Sequence, residues 1–252
     1  MDITPLTLGL LFAAGCLAGF IDSIAGGGGI ISVPTLLAMG IPPHQALATN
    51  KLQSTCGSCT AAINYSHKGL MRPSTLVTGI VFSLFGAVIG SVTVQFFNAS
   101  FLENLIICML IVLFFYTALS PRLGCKETRQ KIPAFFFYTL FGLLIGFYDG
   151  FFGPGTGSFW TISLVVLLGL DLKQATAQTK LFNLSSNVVA LSVFICSGLV
   201  IWSAGAAMGL GQVVGAFCGS TLVSRKEVHF IRVFFLSVVA LTIIKLISGK
   251  FF

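Results

Sequence analysis

The stretch GFIDSIAGGGG at residues 19–29 recurs as GFYDGFFGPGTG at residues 146–157. An offset of 127 residues aligns the two aspartates and the glycine runs that follow them. A second match pairs QALATNKL at residues 45–52 with QATAQTKL at residues 174–181, at an offset of 129. Because further glycine pairs keep this register, the chain is predicted to consist of two copies of one module.

The composition places these modules in a membrane. Hydrophobic residues make up 56% of the 252-residue chain and charged residues 8%, against about 25% charged in an ordinary soluble domain. Residues 74–97 and 181–224 carry no charge at all, and about 20 apolar residues suffice for one membrane span. Residues 3–21 lack the basic start of a signal peptide and are therefore predicted to be the first membrane segment.

Each half is expected to contain five helical segments, so the fold class is predicted as all-α and polytopic, with about 8–10 membrane segments. The predicted domains are membrane repeat 1 at 1–120, a cytoplasmic linker at 121–132 and membrane repeat 2 at 133–252. The expected segments are 4–22, 27–40, 45–65, 74–97 and 102–119, then 133–149, 154–170, 174–196, 200–222 and 229–248.

The basic residues of the loops indicate that the two repeats are inverted. Loops 66–73, 120–133 and 223–232 contain lysine and arginine and are expected to be cytoplasmic, whereas loops 98–100 and 197–203 contain neither. Equivalent loops of the two halves therefore lie on opposite sides of the membrane. The net charge of +7 is explained by this topology, and nucleic-acid binding is not expected. Inverted repeats around a site near the middle of the bilayer are a recurrent transporter architecture.

Two pairs of intramembrane charges occupy equivalent positions, Asp22 with Asp149 and Lys51 with Lys180. Charges within a membrane span are costly and usually mark function. Each aspartate precedes a glycine-rich break, where a restarting helix offers unpaired N–H groups to an anion. Close packing of small residues is the structural alternative for the glycines, and snorkelling to the headgroups is the alternative for the lysines.

The predicted substrate-binding residues come from the glycine breaks and from the polar helices around the lysines. They are Gly26, Gly27, Gly28, Gly29, Thr49, Asn50, Lys51, Gln53, Gly153, Gly155, Thr156, Gly157, Gln178, Thr179, Lys180 and Asn183. Ser54, Ser58 and Asn187 are possible extensions of this cluster.

Three roles remain open for Asp22 and Asp149: holding a coupling proton, balancing the charge of the lysines, or capping the restarting helix. No metal or other cofactor is expected, because none of the three histidines is spaced with cysteine or carboxylate as a metal ligand would be.

Residues 19–33, Pro34 and residues 46–53, together with their second-half copies, resemble the TauE/SafE family of sulfite exporters and anion permeases (the TSUP superfamily). The resemblance implies a multi-pass protein of the bacterial inner membrane that moves a small sulfur-containing anion, with proton or other ion coupling. The expected partners are therefore a small anionic solute, the lipid bilayer and protons as a coupling ion, while the oligomeric state is left open. Asn50 and Gly29 have Thr179 and Thr156 as copies, so the site is expected to be asymmetric.

The leading expectation is a secondary transporter of sulfite, an organosulfonate or a related oxyanion. An anion channel and a transporter of small carboxylates are the alternatives. An enzyme is not expected, since the chain has no nucleotide-binding P-loop and no aspartate follows the glycines of residues 155–158, as an intramembrane aspartyl protease would require.

Overall fold

The computed structural model describes residues 4–71, 76–119 and 129–223. These residues form nine α-helices and one short 3₁₀ turn, and they contain no β-strand. The helices are α1 (Pro5–Ala25), α2 (Gly29–Ala38), α3 (Pro43–His67), α4 (Val77–Thr93, continued by the 3₁₀ turn Val94–Phe96), α5 (Ala99–Leu119), α6 (Ala134–Phe151), α7 (Thr156–Leu168), α8 (Leu172–Cys196) and α9 (Trp202–Val223).

The described part of the chain is a polytopic helical membrane protein, as predicted. Five helices, α1, α4, α6, α8 and α9, are long and apolar enough to span a bilayer. Large apolar side chains on their outer faces are exposed, among them Phe85, Leu144 and Leu210. Such exposure is expected where the surrounding solvent is lipid rather than water. When the 3₁₀ turn is counted with α4, the nine predicted segments that can be compared differ from the helices by at most three residues at either end, and the tenth, 229–248, lies outside the described residues.

The second helix of each half is short, and each one follows a glycine break. Helix α1 ends at Gly26, whose φ of 76° is the left-handed conformation typical of a helix C-terminus. Helix α7 begins after Gly155, with a φ of 82°. At about 1.5 Å per residue, α2 and α7 are roughly 15 and 20 Å long, too short for a bilayer about 30 Å thick.

Small residues allow two pairs of helices to pack at very short range. On α1, a Cβ atom built on Gly19 would lie 2.6 Å from the carbonyl oxygen of Gln212 on α9. On α6, a Cβ atom on Gly146 would lie 2.5 Å from the carbonyl oxygen of Ser83 on α4. Under the offsets found in the sequence, Gly19 corresponds to Gly146 and Ser83 to Gln212. The two helix pairs are therefore equivalent, and each pair joins one half of the chain to the other.

Helix α3 is the polar helix at the centre, and it runs antiparallel to its copy α8. Lys51 near the start of α3 contacts Asn187 in the second half of α8, whereas Tyr65 near the end of α3 shares an apolar cluster with Ala177 near the start of α8. Opposite directions of equivalent helices are what an inverted repeat requires. Helix α3 is not among the five apolar helices, because many of its side chains are polar. It packs mainly against α8 and α9.

The ends of α3 and α9 lie together at one side of the molecule. Asn64 donates hydrogen bonds to Ser220 at 2.6 Å and to Thr221 at 3.1 Å, and Lys68 donates to the carbonyl of Ser220 at 3.0 Å. This places Lys68, at the start of the basic loop, on the same side as the end of α9. The domain boundaries at 120 and 133 remain a prediction, since residues 120–128 lie outside the described part of the chain.

Candidate functional site

Two buried ion pairs join the two halves of the molecule. Lys51 Nζ on α3 lies 2.7 Å from Asp149 Oδ1 on α6, and Lys180 Nζ on α8 lies 2.9 Å from Asp22 Oδ2 on α1. The two lysine side chains are 1% and 0% exposed. Both lysines therefore point into the protein, and the snorkelling alternative does not describe them.

Each lysine also binds the end of the helix that carries its aspartate. Lys51 Nζ donates to the backbone carbonyl of Asp149, and Lys180 Nζ donates to the backbone carbonyl of Asp22. Both aspartates lie in the last turn before a glycine break, where the partial negative charge of a helix C-terminus favours a cation. Lys51 and Lys180 lie at the same depth, about two turns from the start of α3 and α8, so each reaches the equivalent helix end in the other half.

The two glycine breaks touch one another beside these pairs. A Cβ atom on Gly157 would lie 2.4 Å from the Cα atom of Gly26, and one on Gly29 would lie 2.9 Å from the Cα atom of Pro154. A Cβ atom on Gly153 would lie 2.9 Å from Lys51 Nζ. The N-terminal ends of α2 and α7 therefore converge on one region that also contains the lysine ammonium groups.

The carboxylates are bound differently in the two pairs. Asp22 Oδ1 accepts a hydrogen bond from the backbone N–H of Gly28 at 3.3 Å, so this aspartate caps the start of α2. Asp149 instead accepts from two hydroxyl groups, Thr156 Oγ1 at 3.2 Å and Ser186 Oγ. In the first half the aspartate thus binds a backbone N–H at the start of the next helix. In the second half the aspartate binds hydroxyl side chains instead.

A buried polar network begins at Asn50, the residue before Lys51, and its counterpart in the other half is shorter. Asn50 Oδ1 accepts from Ser32 Oγ at 2.6 Å and from Gln53 Nε2 at 2.7 Å, and Gln212 Nε2 donates to Gln53 Oε1 at 2.9 Å. In the other half, Thr161 and Thr179 are equivalent to Ser32 and Asn50, and they also form a hydrogen bond, at 3.1 Å. The network ends there, because the copy of Gln53 is Phe182.

Most of the predicted site residues are brought together, but two point elsewhere. The residues at the breaks, in the ion pairs or beside them are Asp22, Gly26, Gly27, Gly28, Gly29, Lys51, Asp149, Gly153, Gly155, Thr156, Gly157, Lys180 and Asn183. Asn50, Gln53 and Thr179 are also buried, and they bond to α2, α7 and α9 next to the lysines. Thr49 Oγ1 accepts from the N–H of Ile201 just before α9, and Gln178 accepts from Tyr138 OH. These two side chains stabilise helix contacts outside the cluster.

Sequence reasoning missed Ser186 and Gln212. The signal for Ser186 was weak, because its copy is Gly57 and a single serine is ordinary in a membrane helix. Gln212 gave a clearer signal, as a glutamine in a stretch of 44 residues without charge. A cavity of about 480 Å³ between the ends of α4 and α8 includes none of the ion-pair residues in its lining.

Comparison with known proteins identifies similar chains across nearly the whole length. The family described as "Sulfite exporter TauE/SafE" matches residues 11–246. The "Probable membrane transporter protein YfcA" of Escherichia coli K12 is 42% identical over 230 residues, which cover 91% of this chain and 86% of the relative. A "Probable membrane transporter protein" of Haemophilus influenzae is 36% identical over 236 residues, covering 92% and 91% of the two chains. No solved structure matches the chain.

Proposed function

Because the chain belongs to the TauE/SafE sulfite exporter family, we propose that it is a secondary transporter of a small sulfur oxyanion in the bacterial inner membrane. The solute class comprises sulfite, organosulfonates and related anions. The observation that carries the proposal is the pair of buried lysines, each held by an aspartate of the other half, next to the two touching glycine breaks.

This arrangement supplies what an anion needs in a bilayer. Two ammonium groups provide positive charge, and the starts of α2 and α7 provide backbone N–H groups with the positive end of a helix dipole. Without a solute the lysines need another anionic partner, because an unpaired charge buried in the protein costs several kcal/mol. Asp22 and Asp149 fill that role, so an anion that binds either lysine has to compete with the carboxylate of that pair.

The same arrangement links binding to movement of the two halves. Lys51 and Asp149 belong to different halves, as do Lys180 and Asp22. Release of a lysine from its carboxylate therefore removes a bond between the halves. The loss of that bond makes it easier for one half to move relative to the other. Alternating access by rocking of one repeat against the other is the expected consequence for a site of this kind.

Uptake into proteoliposomes tests the proposal. Purified protein is reconstituted and supplied with radiolabelled sulfite, thiosulfate, sulfoacetate and, for comparison, a small carboxylate, with a pH gradient across the membrane. We expect at least one sulfur anion to accumulate above its external concentration. A flux that never exceeds equilibration would indicate a channel, and uptake of the carboxylate alone would indicate another solute class.

A matched pair of lysine variants on α8 shows whether the site described above is responsible. Lys180 is buried in its ion pair, whereas Lys173, seven residues earlier on α8, is exposed. We expect Lys180→Gln to reduce uptake to roughly a tenth or less, since the anion loses a hydrogen bond to a charged group, which is worth about 1.5–3 kcal/mol. Lys173→Gln should retain the wild-type rate. Equal rates for the two variants would contradict a site at the ion pairs.

A further inference from the structure

The two ion pairs occupy equivalent positions but differ in how firmly they are held. Lys51 Nζ has three acceptors: the carbonyl and Oδ1 of Asp149, and Asn187 Oδ1 at 3.0 Å. Lys180 Nζ has two among the described residues, the carbonyl and Oδ2 of Asp22. An ammonium group has three N–H donors, so Lys180 keeps one that this part of the protein does not use.

The carboxylates differ in the same direction. The Asp149 side chain is 4% exposed and accepts from Lys51, Thr156 and Ser186. The Asp22 side chain is 18% exposed, and apart from Lys180 its partner is one long hydrogen bond from Gly28 N–H. Water and small solutes therefore have better access to Asp22, and fewer bonds have to be broken to release it.

The difference between the two ion pairs comes from residues that differ at equivalent positions of the two repeats. Ser186 and Thr156, which bind Asp149, have Gly57 and Gly29 as copies, and neither glycine has a hydroxyl to offer Asp22. Asn187, the third acceptor of Lys51, has Ser58 as its copy. Ser58 Oγ donates to the carbonyl of Ser54 in its own helix at 2.7 Å instead of accepting from Lys180. Three substitutions thus weaken one pair relative to the other.

An unsatisfied amide lies beside the weaker pair. Asn183 follows Lys180 by three residues on α8 and therefore shares its face. The Asn183 side chain is buried, its Oδ1 has no hydrogen-bond donor, and its Nδ2 faces Gly157 at the glycine break. Buried polar groups are normally satisfied, and an anion offers only acceptors, so the Nδ2 group, which donates, is the part of this amide that can bind it.

On the basis of the proposed function, we infer that the two pairs have different roles: the Asp22–Lys180 pair opens to bind the anion, and the Lys51–Asp149 pair stays closed as a tie between the halves. Lys180 and Asn183 contact the anion. Asp22 takes up a proton when Lys180 leaves it, and it returns the proton when the anion departs.

Proton uptake at Asp22 follows from the charge balance. The closed pair is neutral, and an anion that bound Lys180 beside a free carboxylate would leave an uncompensated negative charge in a buried site. When the anion is singly charged, protonation of Asp22 removes that charge, so one proton accompanies each monovalent anion that binds.

Among the described residues around Asp22, few other side chains could take up this proton, so we assign it to Asp22. Lys180 on α8 is the charged side chain that faces Asp22, and Tyr65 on α3, which donates to the Ser23 carbonyl at 2.7 Å, is the nearby titratable one. The neighbouring parts of α2, α7 and α9 present Gly28, Gly157 and Gly219, which have no titratable side chain.

The test measures anion affinity as a function of pH in purified protein. Methanesulfonate and 2-hydroxyethanesulfonate are the probes, since each is an organosulfonate with a single negative charge from about pH 5 to 8, and binding is followed by isothermal titration. In the wild type we expect affinity to fall about tenfold per pH unit on the alkaline side, as linkage of one proton requires. Asp22→Asn should bind with an affinity that varies less than about threefold over the whole range.

The matched variants act on the other pair. Asp149→Asn and Ser186→Ala should lower the melting temperature but retain the tenfold dependence, and Ser186→Ala serves if Asp149→Asn does not fold. A retained pH dependence in Asp22→Asn, or a lost one in Ser186→Ala, overturns the inference while leaving the transport proposal intact. If neither probe nor sulfite binds the wild type, the proposed function itself fails.

Discussion

Replacing Gly157 by alanine adds one methyl group at the point where the two glycine breaks touch. The new Cβ atom would lie 2.4 Å from the Cα atom of Gly26 and 3.0 Å from Asn183 Nδ2. Carbon atoms in contact are normally about 3.5–4.0 Å apart, so the two breaks have to separate by about 1 Å or more. The closest neighbouring atoms belong to the backbone, which has no rotamer to change.

The expected loss of stability is about 2 kcal/mol. An extra methyl group in a tightly packed site usually costs about 1–3 kcal/mol. Gly157 lies in the first turn of α7 and not in the left-handed conformation, so alanine adds no backbone strain there. A higher helix propensity offsets part of the cost, at most about 1 kcal/mol. For a chain of this size, 2 kcal/mol corresponds to a melting temperature lower by roughly 4–8 °C.

Thermal unfolding in detergent, followed by circular dichroism, measures this loss, and Gly9→Ala on α1 is the matched control. Gly9 is also helical, but a Cβ atom there would have no neighbour within 4 Å. Its alanine variant should melt at or slightly above the wild-type temperature. The tight contact of the two breaks is refuted if Gly157→Ala is as stable as Gly9→Ala and also transports normally.

Three further variants test the architecture. Lys51→Met alone should lose about 3–5 kcal/mol by leaving Asp149 unpaired, and the double variant with Asp149→Leu should regain most of it; additive losses in a double-mutant cycle would contradict a direct pair. Tyr65→Phe should lower the free energy of unfolding by about 1 kcal/mol with transport unchanged, because it removes one buried hydrogen bond; an abolished transport activity would assign Tyr65 to the mechanism. In a background without native cysteines, Asn98→Cys should react with an impermeant thiol reagent added outside the cell, and Lys68→Cys only after permeabilisation; the opposite pattern would invert the topology.

The helices could be predicted from the sequence because lipid imposes a strong and simple requirement. A helix that faces lipid has to be apolar over about 20 residues, so α1, α4, α6 and α9 are visible as hydrophobic stretches. Helix α3 is not apolar in this way, and its match to α8 at residues 45–52 is the signal that indicates it. Among the described helices, α3 is therefore the one that the repeat predicts better than hydrophobicity does.

The partners of the charged residues could not be predicted in the same way. The sequence places Asp22, Lys51, Asp149 and Lys180 in equivalent positions, but it is compatible with pairing inside each half as well as between halves. Which lysine reaches which aspartate depends on the packing of α3 against α8 and on the contact between the glycine breaks. These are long-range contacts, and a pattern of hydrophobic and polar residues carries no information about them.

Because both ion pairs connect the two halves, a difference in strength between the pairs affects how the halves are held together. If each lysine were paired within its own half, opening one pair would alter only that half. Here the bonds of Lys51 and Lys180 both cross the boundary, so they hold the same two bodies together. On the inference above, two equally strong ties would have to break together for one half to move. One firm tie, with Ser186, Thr156 and Asn187 as extra partners, and one weak tie would allow movement about the first while the second opens. The substitutions that leave Asp22 with fewer partners are the ones that this proposed single opening event requires.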